Sequence, residues 1–142
     1  VFGKVSVIGG GLVGVETAEY LASRGCKVTI VEMMDQIAKE ESNTVLPTLM
    51  KELNSHEVEV LTSAKLMEIT ENAVIVEKTV DEKTEKAEVA SDFVVMAVGA
   101  KKNVAELNNC TLPIHYVGDC AGERPSNIDH AIKSAYDVAC EL

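Results

Sequence analysis

Apolar residues along the chain follow two alternating patterns. Short runs such as KVSVI at residues 4–8 and KVTIVE at residues 27–32 are almost continuously apolar, which is typical of strands buried in a parallel sheet. Between them, apolar and small residues recur at helical spacing from Leu12 to Arg24. Such a strand–helix–strand unit of about thirty residues has the size of a βαβ crossover.

The middle of the chain departs from this alternation. A helix capped by Ser42 or Asn43 is predicted to run to about Leu53, followed by a third strand at residues 58–61. The runs KLMEIT, AVIVEKTV and AEVAS then predict an antiparallel meander, in which the charged stretch DEKTEK is a solvated turn. The apolar run DFVVMAV at residues 92–98 predicts a central parallel strand.

The last part of the chain contains a predicted polar linker at about residues 104–112, then a strand, IHYVGD, at residues 114–119. Ser126 and Asp129 form a capping box for a final helix. Apolar residues keep helical spacing along it: Ile128, Ala131, Ile132, Ala135, Ala139 and Leu142. The patterns together predict an α/β fold, with a Rossmann-like parallel sheet and an antiparallel three-stranded meander as one of its crossovers.

The turn after the first strand carries the motif G-x-G-x-x-G, at Gly9, Gly11 and Gly14. In dinucleotide-binding proteins the first glycine allows the tight turn, the second lets the backbone approach a pyrophosphate, and the third lets the helix lie close to the sheet. The dipole and free N–H groups at the helix start favour phosphate. Because a strand precedes the motif and a helix and second strand follow it, the motif predicts a dinucleotide site rather than a turn needed only for packing.

An acidic residue, Glu32, ends the second strand, 18 residues after Gly14. A carboxylate at this place accepts hydrogen bonds from the ribose hydroxyls of an adenosine and repels the 2′-phosphate of NADP. Met33 and Met34 follow it, and the first basic residue after them is Lys39. The sequence therefore favours NAD over NADP, and the alternative for Glu32 is an ordinary solvated strand end.

Composition and net charge exclude some classes of binding partner. Hydrophobic residues make up 46% of the 142 residues and the formal net charge is −10, which is typical of a globular protein and argues against nucleic acid or an anionic membrane as partner. The sequence contains no apolar run of membrane-spanning length and does not open on a signal peptide. Its cysteines are scattered, and we expect them to be reduced, in a cytoplasmic protein. The four cysteines include no C-x-x-C pair and the three histidines lack ligand spacing, so no metal site is predicted. No catalytic residue is assigned.

Three stretches of the sequence resemble those of a known family. The stretch VIGGGLVGVETAEYLASRGCKVTIVEM is similar to the NAD(P)H-binding domain of two-dinucleotide flavoproteins, the group of glutathione reductase. AVGAKKN is similar to that group's A-x-G-x-x-P-N stretch, except that Lys102 replaces the proline, and YVGDC is similar to its flavin-contacting G-D stretch. The stretch GDCAGERPSNIDHAIKSAYDVA looks closest to the old-yellow-enzyme-like NADH:flavin oxidoreductases, of the 2-enoate and 2,4-dienoyl-CoA reductase type.

The resemblance implies roles for particular residues. The pyrophosphate would be lined by the glycine turn and the helix start, at Gly9, Gly11, Leu12, Val13 and Gly14. Glu16 would lie near the nicotinamide, or is an exposed helix residue, and Glu32 would hold the adenosine ribose. Gly99 would lie against the nucleotide, whereas Gly118 and Asp119 would contact FAD in the parent enzyme only. Gly10 and Met33, which adjoin these residues, would also contact the cofactor.

The resemblance also implies the organisation of a longer parent protein. Residues 1–106 would form the NAD(H)-binding domain, and residues 107–142 would be the returning C-terminal segment of an FAD-binding domain that is otherwise absent from this sequence. NAD(H) would bind here and FAD in the parent, whose N-terminal part would add FMN and an iron–sulfur cluster. We therefore expect a fragment that is inactive alone and that partners the remaining domains of its own protein.

Two alternatives stay open. The first is a stand-alone module that senses NADH without turnover. It would carry the same glycine motif but would not require the flavin-contacting stretch YVGDC.

The second concerns the exposed apolar segment at residues 114–142. It either folds back on the NAD domain or exchanges between two copies, which would give a dimer.

Overall fold

The computed structural model describes residues 2–39, 45–80, 83–104, 106–122 and 127–142. Contacts divide the chain into two compact units, Val1–Gly99 and Ala100–Leu142. The elements are, in chain order, β1 (Lys4–Ile8), α1 (Leu12–Ser23), β2 (Lys27–Val31), α2 (Leu46–Ser55), β3 (Glu59–Leu61), β4 (Ala64–Ile69), β5 (Ala73–Val80), β6 (Lys83–Ala90), β7 (Phe93–Met96), a 3₁₀ turn (Gly118–Cys120) and α3 (Ile128–Glu141).

A parallel sheet with the strand order β3-β2-β1-β7 organises the first unit. In β1, Val5 lies opposite Val28 of β2 on one side and Phe93 of β7 on the other. The chain moves outward from β1 through β2 to β3, and only later places β7 on the other side of β1. The strand order therefore reverses at β1, which is where open α/β sheets bind ligands, at the carboxyl ends of their strands.

Helices α1 and α2 pack on one face of this sheet. Alternate strand residues point to the helices because side chains in a strand face opposite sides in turn. The buried core on this face combines strand and helix residues: Val5, Val7, Val15, Ala18, Val28, Ile30 and Leu53.

The meander β4-β5-β6 forms a separate antiparallel sheet. Its buried residues pack against the strand positions that alternate with the helix-facing ones: Ile8, Val31, Ala64, Val74 and Val76 form one cluster. On the same side of β1, the buried hydroxyls of Ser6 and Ser91 share a hydrogen bond. The predicted α/β fold, with its parallel sheet and three-stranded antiparallel meander, is confirmed.

The charged stretch DEKTEK is not simply a solvated turn, because β6 already begins at Lys83. Within the β5–β6 ladder, Glu85 lies opposite Lys78 and Lys86 lies opposite Glu77. Opposite charges on directly facing residues stabilise an antiparallel pair, so these residues extend the hairpin. Asp81 and Glu82 lie outside the described residues.

Two predicted helix starts fall partly outside the described residues. Helix α2 follows Val45 and has Pro47 in its first turn, whereas the predicted caps Ser42 and Asn43 are not described.

Helix α3 is capped by Asn127, whose side-chain oxygen accepts the His130 N–H at 3.0 Å. This amide does what the predicted capping box assigned to Ser126, which lies outside the described residues. Asp129 lies in the first turn of α3.

The strand predicted at residues 114–119 is wrong. Residues 113–117 have no regular secondary structure, and Gly118–Cys120 form the 3₁₀ turn. A strand needs a neighbour to satisfy its N–H and C=O groups, and no described strand pairs with this segment. Its apolar residues Ile114, Tyr116 and Val117 remain between 38% and 42% exposed.

Among the described residues, no helix combines the length and apolar character needed to span a membrane.

Candidate dinucleotide-binding site

Two glycines of the motif are required by close contacts within the chain. Gly9 leaves β1 with a φ of +106°, and a Cβ atom there would overlap the carbonyl oxygen of Ala97. A Cβ atom on Gly14 would overlap the carbonyl oxygen of Gly9 and lie 3.3 Å from the Cβ of Ala97. The first turn of α1 therefore lies directly against the end of β1, which aims the helix N-terminus across the edge of the sheet.

Gly11 is different, because no described atom beyond its adjoining residues lies within 4 Å of where its Cβ would be. Its backbone is extended, with φ −68° and ψ 174°, which any residue can adopt. Gly11 is also the N-cap of α1, where glycine is favoured but serine, threonine, asparagine and aspartate serve as well, so neither packing nor φ requires glycine there. The open space above Gly11 is where a ligand can approach the backbone, as the motif predicts.

The helix that starts at this point presents its N-terminal end to solvent. The first-turn residues Leu12 and Val13 are uncharged and exposed, Val13 at 70%. The first N–H groups of a helix have no intrahelical partner, and together with the helix dipole they attract anions. Gly11 and the helix start therefore form a surface suited to a phosphate group.

Glu32 lies directly after β2 and is held by the backbone. It is only 9% exposed, and both of its carboxylate oxygens accept main-chain hydrogen bonds. The Gly10 N–H donates to Oε2 at 2.6 Å and the Met34 N–H donates to Oε1 at 2.7 Å. Each carboxylate oxygen has a second lone pair. Glu32 is therefore a fixed pair of acceptors beside the glycine turn, with capacity left for two hydroxyl donors.

Sequence reasoning gave Gly10 no structural reason to be glycine, but packing supplies one. A Cβ on Gly10 would lie 2.5 Å from Cγ2 of Ile37 and 3.0 Å from Cβ of Glu32. The Ala38 N–H also donates to the Gly10 carbonyl at 2.7 Å. Ile37 and Ala38 are 4% and 3% exposed. Sequence reasoning missed both residues, and the signal that could have found them is an apolar pair within a charged segment.

The rest of the segment after β2 is exposed. Met33 and Met34 are 68% and 46% exposed beside Glu32. Lys39, the first basic residue after them, lies 3.3 Å from the carboxylate of Asp35. The immediate surroundings of Glu32 therefore offer apolar surface, and the first lysine after it in the sequence, Lys39, already has an acidic partner.

The carboxyl end of β7 lies at the same edge of the sheet as the glycine turn and Glu32. Gly99 follows this strand with a φ of +86°, and the preceding Val98 is 67% exposed. Because β1, β2 and β7 are parallel neighbours, their carboxyl ends meet at one edge. The structure thus brings together the glycine turn, the Glu32 segment and Gly99. Glu16 is exposed, one helical turn after Leu12 in α1.

Gly118 and Asp119 belong to the second unit. The Gly118 N–H donates to the Ser134 hydroxyl oxygen at 2.8 Å, which ties the 3₁₀ turn to α3. Asp119 is exposed and lines an open cleft of about 340 Å³, together with Asn127, Ile128 and Ala131.

The sequence also matches an established family. Residues 3–116 match the pyridine nucleotide-disulphide oxidoreductase family. The chain belongs to this family. This family implies NAD(P)H and FAD binding, which agrees with a candidate nucleotide site at the sheet edge.

Several relatives of this chain within the flavoprotein oxidoreductases are much longer. It is 45% identical over 140 residues to bilirubin reductase of Mediterraneibacter gnavus, covering 96% of this chain and 21% of that protein. It is 31% identical over 143 residues to NADH oxidase of Thermoanaerobacter brockii, covering 98% and 21%. It is also 31% identical to cinnamate reductase of Clostridium sporogenes, covering 96% and 20%. The chain therefore spans about a fifth of the length of these relatives.

Solved structures share the fold of this chain. A 2-naphthoyl-CoA reductase complex matches with a TM-score of 0.80 and 23% identity, covering 98% of this chain and 21% of that one. A ferredoxin reductase from Rhodopseudomonas palustris matches with a TM-score of 0.69 and 22% identity, covering 97% and 40%.

Proposed function

We propose that this chain is the NAD(H)-binding part of a flavin-dependent oxidoreductase, and that it holds NADH for hydride transfer to FAD in the complete protein. Residues 1–106 are the NAD(H)-binding domain in this proposal, and residues 107–142 are a segment of the FAD-binding domain. Family membership supports a nucleotide-binding oxidoreductase, and the edge formed by β1, β2 and β7 supplies the site.

The observation that carries the proposal is the contrast among the glycines. Packing within the chain explains Gly9, Gly10 and Gly14, because a Cβ at each would meet protein atoms at 2.5 Å or closer. Gly11 is the N-cap of α1, a position that also accepts serine, threonine, asparagine or aspartate, so neither packing nor backbone geometry requires glycine there. A ligand that must approach the backbone closely does explain it, and a pyrophosphate at a helix N-terminus is such a ligand.

Glu32 supports a choice of NAD over NADP. Its carboxylate is fixed by two main-chain donors, so it cannot swing away from a ligand at the end of β2. The free lone pairs accept ribose hydroxyls, whereas a 2′-phosphate would face a carboxylate with Met33 and Met34 as neighbours. The Asp35 carboxylate beside Lys39 further weakens any attraction of that lysine for a phosphate.

The contribution of the chain is binding and orientation. The nicotinamide supplies a hydride when the nucleotide is bound, and an enzyme of this kind gains its rate by placing donor and acceptor correctly. Gly11 and the helix start hold the pyrophosphate, Glu32 holds the adenosine ribose, and Gly99 and Glu16 border the remainder of the nucleotide. No side chain is assigned a proton-transfer role, so we expect the isolated chain to bind NADH without turnover.

We propose an old-yellow-enzyme-like NADH:flavin oxidoreductase as the parent, with FMN and an iron–sulfur cluster in its N-terminal part. The similarity of the stretch after Gly118 to that group supports this choice, as do relatives that are named reductases and match over nearly the whole chain. The exposed apolar face of α3 also agrees with a missing partner domain: Ile128, Ile132 and Tyr136 are 77%, 64% and 68% exposed. The substrate would be set by the remainder of the parent.

Calorimetric titration of the chain with NADH, NADPH and FAD, side by side, tests the proposal. We expect one NADH site per chain, weaker NADPH binding and no FAD binding. Glu32→Arg should lower NADH affinity by about tenfold or more, because the ribose acceptor is replaced by a cation. Glu88→Arg makes the same charge change at an exposed residue of β6 and should leave affinity unchanged. Tight, stoichiometric FAD binding would instead identify the glycine turn as a flavin site and overturn the proposal.

A further inference from the structure

A second group of polar side chains lies between α1 and α2. One carboxylate oxygen of Glu19, one of Glu52 and one ring nitrogen of His56 all lie within 4.8 Å of one another. Glu19 belongs to α1, whereas Glu52 and His56 belong to the last turn and the C-cap of α2. Glu19 lies about 12 Å along the helix axis from Gly11, so this cluster is separate from the candidate nucleotide site.

The spacing of these atoms suits a shared ion better than a direct bond. His56 Nε2 lies 3.8 Å from Glu19 Oε1, well beyond the 2.7–3.2 Å range of a direct N–H···O hydrogen bond. Two ligand atoms that each lie about 2.1 Å from one zinc ion, at a tetrahedral angle, are separated by roughly 3.4 Å. Small side-chain rotations would therefore bring the nitrogen and oxygen onto one ion.

The backbone fixes the relative placement of the ligands. Glu52 and His56 are four residues apart, and the His56 N–H donates to the Glu52 carbonyl at 3.1 Å, so the helical geometry reaches both residues. Residues at this spacing lie on one helix face. Leu53 of α2 lies in the same buried core cluster as the α1 residues Val15 and Ala18, and this shared core holds α2 beside α1. The third ligand, Glu19, is thereby presented from the neighbouring helix.

Charge and exposure favour a divalent cation. Two carboxylates face one imidazole, in a chain whose formal net charge is −10, so a cation is attracted rather than repelled. The side chains of Glu19 and His56 are 32% and 33% exposed, which leaves access for an ion and for water to complete its coordination. Imidazole nitrogen with carboxylate oxygen is a ligand set that suits zinc.

We propose that Glu19, Glu52 and His56 form a zinc-class divalent cation site that cross-links α1 and α2. The sequence alone did not predict it, because two of the three ligands are glutamates and one of these, Glu19, lies on a different helix from Glu52 and His56. Bound cation would stabilise the first unit, because binding to the folded state alone raises the free energy of unfolding. The site is independent of the nucleotide proposal.

Calorimetric titration of the chain with zinc chloride tests this site. We expect one site per chain outside the cysteines, and Glu19→Gln, Glu52→Gln and His56→Asn should each weaken it by about tenfold or more. The matched control Glu57→Gln removes the same charge at the adjacent exposed glutamate and should leave the affinity unchanged. Thermal melts without metal check that each variant is folded; Glu52 is exposed, so its variant should melt like the parent chain.

A Co²⁺ titration separates this site from thiol binding. Thiolate coordination gives an intense near-ultraviolet charge-transfer band, whereas nitrogen and oxygen ligands give only weak visible bands, and the latter is the expected spectrum. The proposal is overturned if the three variants bind zinc as the parent chain does. It is equally overturned if zinc fails to bind, or if every bound Co²⁺ ion shows thiolate coordination.

Discussion

Replacing Gly11 and Gly14 separately by alanine should separate binding from folding. In Gly11→Ala the new methyl group enters open space, because no described atom beyond the adjoining residues lies within 4 Å of it. In Gly14→Ala the methyl group overlaps the carbonyl oxygen of Gly9, which is part of the main chain and cannot rotate away as a side chain would. We expect the first variant to fold normally but bind NADH poorly, and the second to be destabilised.

The structure sets the size of both effects. Overpacking typically costs about 1–3 kcal/mol, and the main-chain overlap at Gly14 places its cost at the upper end, about 3 kcal/mol; alanine regains about 1 kcal/mol of helix propensity, so the net loss should be about 2 kcal/mol. That loss corresponds to a fall in Tm of about 8–16 °C for a unit of this size. At Gly11, the poorer N-cap and the reduced entropy of the unfolded chain nearly cancel, leaving a change within about 0.5 kcal/mol.

Thermal melts followed by far-ultraviolet circular dichroism, with calorimetric NADH titrations of the same samples, measure both effects. Gly11→Ala should keep the parent Tm and lose about tenfold or more in NADH affinity, because its methyl group occupies the space that the pyrophosphate needs. The reasoning would be refuted if Gly11→Ala bound NADH normally, or if Gly14→Ala proved as stable as the parent chain.

Three further predictions concern the packing and hydrogen bonds of the first unit. Glu32→Gln should lower the free energy of unfolding, measured in urea without nucleotide, by about 1–3 kcal/mol, because a side-chain amide can accept only one of the two main-chain N–H bonds. The control Glu16→Gln changes an exposed residue and should leave the free energy of unfolding unchanged. Leu53→Ala should cost about 2–5 kcal/mol, since Leu53 is 1% exposed, and an unchanged urea midpoint would contradict the core described for α2. Ser6→Ala should cost about 1 kcal/mol, measured in the same way, because the Ser91 hydroxyl loses its bond to Ser6 and keeps only the one that it donates to the Val89 carbonyl oxygen; a neutral result would contradict the Ser6–Ser91 pairing.

Local patterns were sufficient to predict most of the first unit. Strand β1 and helix α1 are adjacent in sequence, so the apolar run, the glycine turn and the helical spacing that follow one another already specify a βαβ unit. The position of Glu32 at the end of β2 is likewise a short-range feature. Such elements are specified by residues within about thirty positions of one another, so their patterns can be recognised directly in the sequence.

Features that depend on distant partners were not predictable. Ile37 and Ala38 are buried only because their segment closes over Gly10, a contact that spans about a whole βαβ unit. The segment at residues 114–119 has strand-like composition, yet no described strand pairs with it, and pairing rather than composition makes a strand. Strand β6 begins as early as Lys83 because the residues after it, Glu85 and Lys86, face oppositely charged residues of β5.

The central claim is that NADH lies across the carboxyl ends of β1 and β2. Two-dimensional ¹H–¹⁵N NMR of the chain, with NADH added stepwise, tests it most directly because each backbone N–H reports its own surroundings. We predict that the largest shifts occur at Gly10, Gly11, Leu12 and Val13 and at the Met33 and Met34 amides that follow Glu32, while amides of β4–β6 stay in place. Saturating shifts confined to other parts of the chain, or shifts at the glycine turn with FAD but not with NADH, would contradict the account.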